Sequence, residues 1–231
     1  MKEELYQIKE RVFEINSKLS ESSLVIQNFG NASSRFSEGF VIKPSGVDLS
    51  NSNLSEMVAL DFDGNKLDGL LKPSSDEPTH RIIYKTKEEV GGIVHTHSKF
   101  ATAFAQAKLK IDNFGTTHSD FSKYSILVTD QLNKDQVKKD YELNTGIKIL
   151  EKLQEEGLEI LEVPGILSVR HGVFAWGNSI QEAYNNAEII EYVAEMCFIT
   201  RNLNPDAKTI EEYIAEKHFN RKHGPNKYYG Q

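Results

Sequence analysis

Gly91-Gly92-Ile93-Val94-His95-Thr96-His97-Ser98 is the stretch on which the rest of the chain turns. A short apolar run ends in two histidines two residues apart. If the run is a β-strand, alternate side chains leave opposite faces, so His95 and His97 point the same way. Two imidazoles on one face can grip a single metal ion, and a catalytic zinc commonly takes three protein ligands and keeps one position open. The third ligand must come from elsewhere in the chain. A His-x-His pair also arises by chance, so the surrounding sequence has to decide.

With 231 residues, 39% of them hydrophobic and 26% charged, the chain can bury the core of one globular domain, 1–231. The sole cysteine, Cys197, excludes an internal disulfide framework and fits a reducing compartment. Met1-Lys2-Glu3-Glu4 opens a charged amphipathic segment rather than a signal peptide. No run approaches the roughly 20 apolar residues that span a bilayer. The expectation is a cytoplasmic protein with no membrane partner. A formal net charge of -7 argues against nucleic acid as a partner, so an anionic small substrate has to be held by local groups.

Leu5, Ile8, Val12, Ile15 and Leu19 recur at steps of three and four, the stripe of a packing helix. Leu24-Val25-Ile26 reads as a strand and Asn28 to Ser33 as a loop leading to another. Phe40-Val41-Ile42 is a strand ending in Lys43-Pro44-Ser45-Gly46. Met57 to Leu60 and the segment near Leu67 flank Asp63-Gly64, a hairpin turn. Lys72-Pro73-Ser74-Ser75-Asp76 precedes a helix from about Pro78 to Lys85, with Asp76 or a serine as its cap. Exposed amides there suit an anion, although a capped helix that binds nothing reads the same way. Several loops rich in Ser, Gly and Asn strengthen a phosphate reading; none has P-loop spacing.

Ala101 to Ala107 is a small apolar helix, and Phe114 to Asp120 a polar loop crowded with titratable groups. Ile126-Leu127-Val128 reads as a strand. The charged segment from about Asn133 to Glu156 has Val137, Tyr141, Ile147, Leu150 and Leu153 as its expected buried positions, the charges forming a solvated face. Ile166 to Val169 and Val173 to Gly177 are two strands joined by a tight turn at Arg170-His171-Gly172. His171 there is a third metal ligand or a hydrogen-bonded structural histidine. Ser179 caps a long helix to about Arg201, packed through Ala183, Ala187, Ile190 and Ala194, and a last helix spans about Lys208 to Lys222. Strands in groups, without regular strand-helix alternation, predict one mixed, mainly antiparallel sheet covered by helices.

Gly30-Asn31, Lys43-Pro44-Ser45-Gly46, Lys72 to Asp76, Gly92 to His97, Gly115-Thr116-Thr117-His118, His171-Gly172 and the closing Tyr228-Tyr229-Gly230-Gln231 together resemble the class II aldolase/adducin family, in its L-ribulose-5-phosphate 4-epimerase branch. Each motif alone is weak; the set in this order is specific and covers the chain. The resemblance implies a three-layer α/β/α sandwich, one zinc ion per subunit and a homotetramer with active sites at subunit boundaries. It puts the metal ligands at His95, His97 and His171, with Asp76 at a fourth position where aldolase relatives usually carry Glu. Phosphate-binding positions fall on Gly30, Asn31, Ser45, Gly46, Ser74 and Ser75, with Lys43 close by. Asp120 and Tyr229 take the acid/base positions with His218 in support, supplied by a neighbouring subunit. Val173, Leu127 and Asp130 depart from the family's usual proline, proline and arginine.

The implied substrate is a phosphorylated ketopentose, with interconversion of L-ribulose 5-phosphate and D-xylulose 5-phosphate. In a 2-ketopentose phosphate the C4 hydrogen is not adjacent to the carbonyl, so proton abstraction alone cannot invert C4. The C4 hydroxyl is β to the carbonyl, and removing its proton lets the C3-C4 bond break in a retro-aldol step. A divalent cation stabilises the negative charge that develops. A class II sugar-phosphate aldolase and a metal-free adducin-like binding protein are the competing readings.

Overall fold

Along the inner strands, successive residues feed two different cores, and that alternation builds the molecule. Val41, Ala59, Val94, Leu167, Val173 and Ala175 enter one cluster, while Phe40, Ile42, Val58, Leu60, Ile93, Ile166, Phe174 and Trp176 enter the other. A sheet buried on both faces must carry helices on both faces. The structure, a computed structural model, describes residues 2–47 and 53–224; the closing tyrosine motif with Tyr229 lies outside the described residues.

The strands are β1 (Asn31–Phe36), β2 (Gly39–Ile42), β3 (Val58–Asp61), β4 (Lys66–Asp68), β5 (Gly92–Thr96), β6 (Gly165–Ser168) and β7 (Gly172–Gly177). They form a seven-stranded sheet in the order β4-β3-β2-β1-β5-β7-β6. Every pairing between them is antiparallel; the parallel contact is an isolated bridge, Val128 to Leu167. Helices α1 (Lys2–Glu21), α3 (Lys99–Ala107) and α6 (Ile180–Leu203) cover the first face with Val12, Ile15, Leu19, Phe104 and Ile190. Helices α2 (Glu77–Thr86) and α5 (Lys134–Glu155) cover the second with Ile83, Tyr84, Ile149 and Leu153. A short α4 (Thr116–Ser119) packs against α7 (Glu212–His223). This is the expected three-layer α/β/α architecture.

Several local expectations need correcting. Leu24-Val25-Ile26 is not a strand: Ile26 is 63% exposed, and the chain turns through Gln27 (φ 54°) and Gly30 (φ 95°) before β1 begins. Ile126 to Val128 contributes only isolated bridges. The segment 133–156 is one long helix interrupted at Asp140 (φ −166°, ψ 78°). Its buried row is Thr145, Gly146, Ile149 and Leu153, and Val137 is exposed. Gly146 sets that row, because a Cβ there would lie 2.3 Å from Ile82 Cγ2 on α2. The last helix starts at Glu212, not near Lys208. Asp76 stands at the N-cap position of α2 but caps nothing with its side chain.

Candidate active site

His95 lies opposite Asn31 on one neighbouring strand and Phe174 on the other. Its Nδ1–H donates to Val173 O at 2.8 Å, and the ring stacks on Phe174 with centroids 4.2 Å apart. That bond fixes the tautomer and leaves the Nε2 lone pair facing outward. His97, just past the end of β5, brings its Nε2 to 3.0 Å from His95 Nε2. His171, in the β6–β7 turn, places its ring 4.7 Å from His95 and 5.0 Å from His97.

One ring nitrogen from each of the three lies within 4.8 Å of the others. Two facing Nε2 atoms cannot both carry protons, and the buried Nδ1 of His171 has no hydrogen-bond partner among the described residues. Burial, reinforced by His95, lowers His97 to about 4 and His171 to about 3, so both rings are neutral near pH 7. Neutral, convergent imidazoles are the donor set that zinc and its neighbours take. Asp76 Oδ2 is 3.9 Å from His95 Nε2 and accepts from Asn31 Nδ2 at 2.8 Å. Burial works against ionisation of Asp76, but the surrounding imidazoles and Asn31 outweigh it and hold the carboxyl below its ordinary value. The residues therefore fit a divalent cation.

Beneath the site runs a polar seam that the sequence reading missed. His80 and Tyr84 follow Asp76 at successive turns of α2 and face Ser33, two residues after Asn31 on β1. Ser33 Oγ lies 2.7 Å from His80 Nδ1 and 2.9 Å from Tyr84 OH. His80 is fully buried, which lowers it to about 3 and keeps it neutral. A four-residue repeat on a helix against a two-residue repeat on a strand is the only signal that could have exposed the seam.

The expected phosphate-binding residues, from Gly30 to Ser75, all line one cleft of about 470 Å³ together with Asp76, His95, His97 and His171. The loops at 43–46 and 72–75 are zipped together by backbone bonds, Ser45 N to Lys72 O at 3.0 Å and Ser74 N to Lys43 O at 2.9 Å. Lys43 Nζ donates to Asn28 O and Gly30 O, at 3.0 and 3.3 Å, and so holds the loop before β1. Phe29, Tyr141 and Glu142 also form its walls, unpredicted as site residues.

Asp120 and His218 come together away from this cleft wall. His218 Nδ1 is 3.0 Å from Asp120 Oδ1, and Arg221 donates to both carboxylate oxygens at 3.0 and 2.6 Å. Burial raises the Asp120 carboxyl, but bonds from Arg221 and His218 and the nearby Lys222 outweigh it and leave it below its ordinary value.

A curated L-ribulose-5-phosphate 4-epimerase, UlaF, of Salmonella paratyphi A is 44% identical over 98% of this chain and 100% of its own length. The UlaF protein of Salmonella typhi matches at the same identity and coverage. Among solved structures, an L-fuculose 1-phosphate aldolase superposes with a TM-score of 0.78 at 22% identity, over 93% of this chain and 95% of that one. The L-fuculose-1-phosphate aldolase of Thermus thermophilus gives 0.67 at 20% identity, over 90% and 99%. These last two show likeness of fold. The model of the class II aldolase and adducin N-terminal domain matches residues 10–198, so the imidazole cluster and its loops sit inside the matched region, and the chain belongs to that family.

Proposed function

We propose that the protein is a zinc-dependent L-ribulose-5-phosphate 4-epimerase, converting its substrate reversibly to D-xylulose 5-phosphate by cleaving and re-forming C3-C4. The observation that carries this reading is the meeting, in one cleft, of three convergent ring nitrogens with two serine- and glycine-rich loops. The relative named as such an epimerase, 44% identical over its full length, supports this reading over other sugar-phosphate chemistry.

His95, His97 and His171 would hold the ion, with Asp76 beside them. When bound, the ion would supply a positive centre that stabilises the negative charge developing on the sugar as its carbon chain is cleaved. Amides and hydroxyls at 45–46 and 74–75 hold the phosphate. Asp120 and Tyr229 take and return the C4 hydroxyl proton from opposite sides of the aldehyde, and His218 orients Asp120. The C4 hydroxyl loses its proton, C3-C4 breaks, and glycolaldehyde phosphate separates from an enediolate. Held by its phosphate, the aldehyde turns its other face and the bond re-forms with C4 inverted. Retention of that fragment distinguishes an epimerase from an aldolase.

Because Asp120 and His218 are not in the cleft wall, a neighbouring subunit is proposed to bring them, in a homotetramer. An exposed apolar row on α6, Tyr192, Met196, Ile199 and Leu203, supports self-association. The buried free thiol of Cys197 fits a cytoplasmic setting, and no described helix is long and apolar enough to cross a membrane. A coupled assay should detect D-xylulose 5-phosphate from L-ribulose 5-phosphate. Accumulation of free glycolaldehyde phosphate instead, or no conversion at any metal loading, rejects the proposal.

A further inference from the structure

Tyr141 stands between two spaces. It lines the metal cleft, with its ring centroid 5.8 Å from that of His171, and it also lines a second pocket of about 130 Å³. Among the described residues it alone is common to both walls. Thr129, Lys148, Ser168 and Arg170 are among the other walls of the second pocket, so the space offers hydroxyls and cations.

The break in α5 accounts for this placement. Asp140 leaves helical geometry one residue before Tyr141, and Asn144 Nδ2 bridges the break by donating to Gln136 O at 3.0 Å and Asp140 O at 2.7 Å. The restarted helix is pinned to α2, where Thr79 Oγ1 donates to Glu142 O. Tyr141 is thus held by backbone anchors on both sides.

The two ends of the cleft differ. The serine loops reach the imidazoles through Asp76, whose amide donates to Ser74 Oγ at 3.3 Å, whereas Tyr141 reaches them through His171. A sugar phosphate anchored at the loops and extended over the imidazoles to His171 would end against Tyr141, whose ring packs on that histidine. We propose that Tyr141 is a specificity-determining residue that sets the length of the sugar, closing the cleft beyond C1 and shutting off the second pocket. This rests on the sugar-phosphate reading above. Cavities of about 150 Å³ accept a benzene ring, so the second pocket has room for one or two further hydroxylated carbons.

The geometry also says where added carbon is tolerated. A carbon added beyond C1 gives a 3-ketohexose 6-phosphate, in which the spacing from carbonyl to phosphate is unchanged. In a 2-ketohexose 6-phosphate the added carbon lies between carbonyl and phosphate, where opening the far wall brings no relief.

The test compares zinc-loaded wild type, Tyr141→Phe and Tyr141→Ala, using L-ribulose 5-phosphate and both hexulose phosphates, by kcat/KM and by calorimetric Kd. Tyr141→Ala should raise the ratio of 3-ketohexose to pentulose by roughly tenfold or more, the scale of one methylene in a pocket. The 2-ketohexose should gain nothing, and Tyr141→Phe should keep wild-type selectivity. Equal change for all three sugars, or an unchanged ratio, overturns the inference. Should Tyr141→Ala fail to fold, Tyr141→Val carries the same expectation at smaller size. Absence of wild-type turnover on L-ribulose 5-phosphate rejects the epimerase, while the ratio of the Kd values still decides the length limit.

Discussion

At position 172 a methyl group would lie 2.4 Å from Thr96 O and 3.0 Å from His97 Cδ2, so only glycine lets the β6–β7 turn bring His171 against the other imidazoles. Asp120 illustrates the opposite kind of control, in which charge rather than space sets behaviour. Arg221 and His218 hold its carboxyl ionised below the ordinary range. If Asp120 accepts the sugar's proton, the acid limb of kcat/KM reports its titration. Arg221→Met removes a stabilising cation, raises the Asp120 pKa and should move that limb to higher pH, with Arg221→Lys restoring part of the shift. A limb that stays in place would separate Asp120 from the proton transfer. His95 and His97 were legible because two imidazoles two residues apart at the end of a strand carry a chemical meaning of their own. Tyr141 was not, because its exposure to the cleft depends on one non-helical residue, Asp140, that no side-chain pattern announces.

Among the elements, α6 is apolar on more than one side. Ala183, Ala187, Ile190 and Ala194 are buried against the sheet, as their spacing predicts, yet Tyr192, Met196, Ile199 and Leu203 stand 40–82% exposed at steps of four, three and four. A second apolar stripe on a capped helix is the mark of a further packing surface. Ile199→Asp should reduce the sedimenting species and lower turnover by roughly tenfold or more, because a buried unpaired charge is not tolerated in an apolar contact. A monomer with full activity would show that each chain completes its own site. Strand positions were readable wherever alternation fed two cores, as at Phe40-Val41-Ile42. They were misread at Leu24-Val25-Ile26, where apolar residues follow a helix into a turn governed by backbone geometry at Gln27 and Gly30.

At the scale of the whole molecule, burial of neutral histidines ties stability to pH. Burial lowers His118 from 6.5 to about 4, with its Nε2–H donating to Tyr124 O at 3.0 Å, and His80 to about 3. Below about 6.5 the unfolded chain binds protons that the folded one refuses, so stability falls as pH falls through that window. Each such group contributes up to ~1.4 kcal/mol per pH unit. Urea unfolding should show His118→Gln with a slope shallower by about 1 kcal/mol per pH unit between about pH 6.5 and pH 5. Equal slopes would mean that the ring titrates normally in the folded protein. The antiparallel order of the sheet was within reach of the sequence because its hairpins are local. The insertion of β5 between β1 and β7, which brings residues 31, 95 and 174 abreast, was not, since it joins segments far apart in the chain.

The proposed chemistry stands or falls on whether those imidazoles hold an ion that turnover requires. Metal content by elemental analysis, measured beside turnover of L-ribulose 5-phosphate while zinc is titrated into chelated protein, tests this directly. Turnover should rise in proportion to bound zinc and level off at one equivalent per chain, and His171→Ala should lose both together. Full turnover by protein stripped of metal would contradict it.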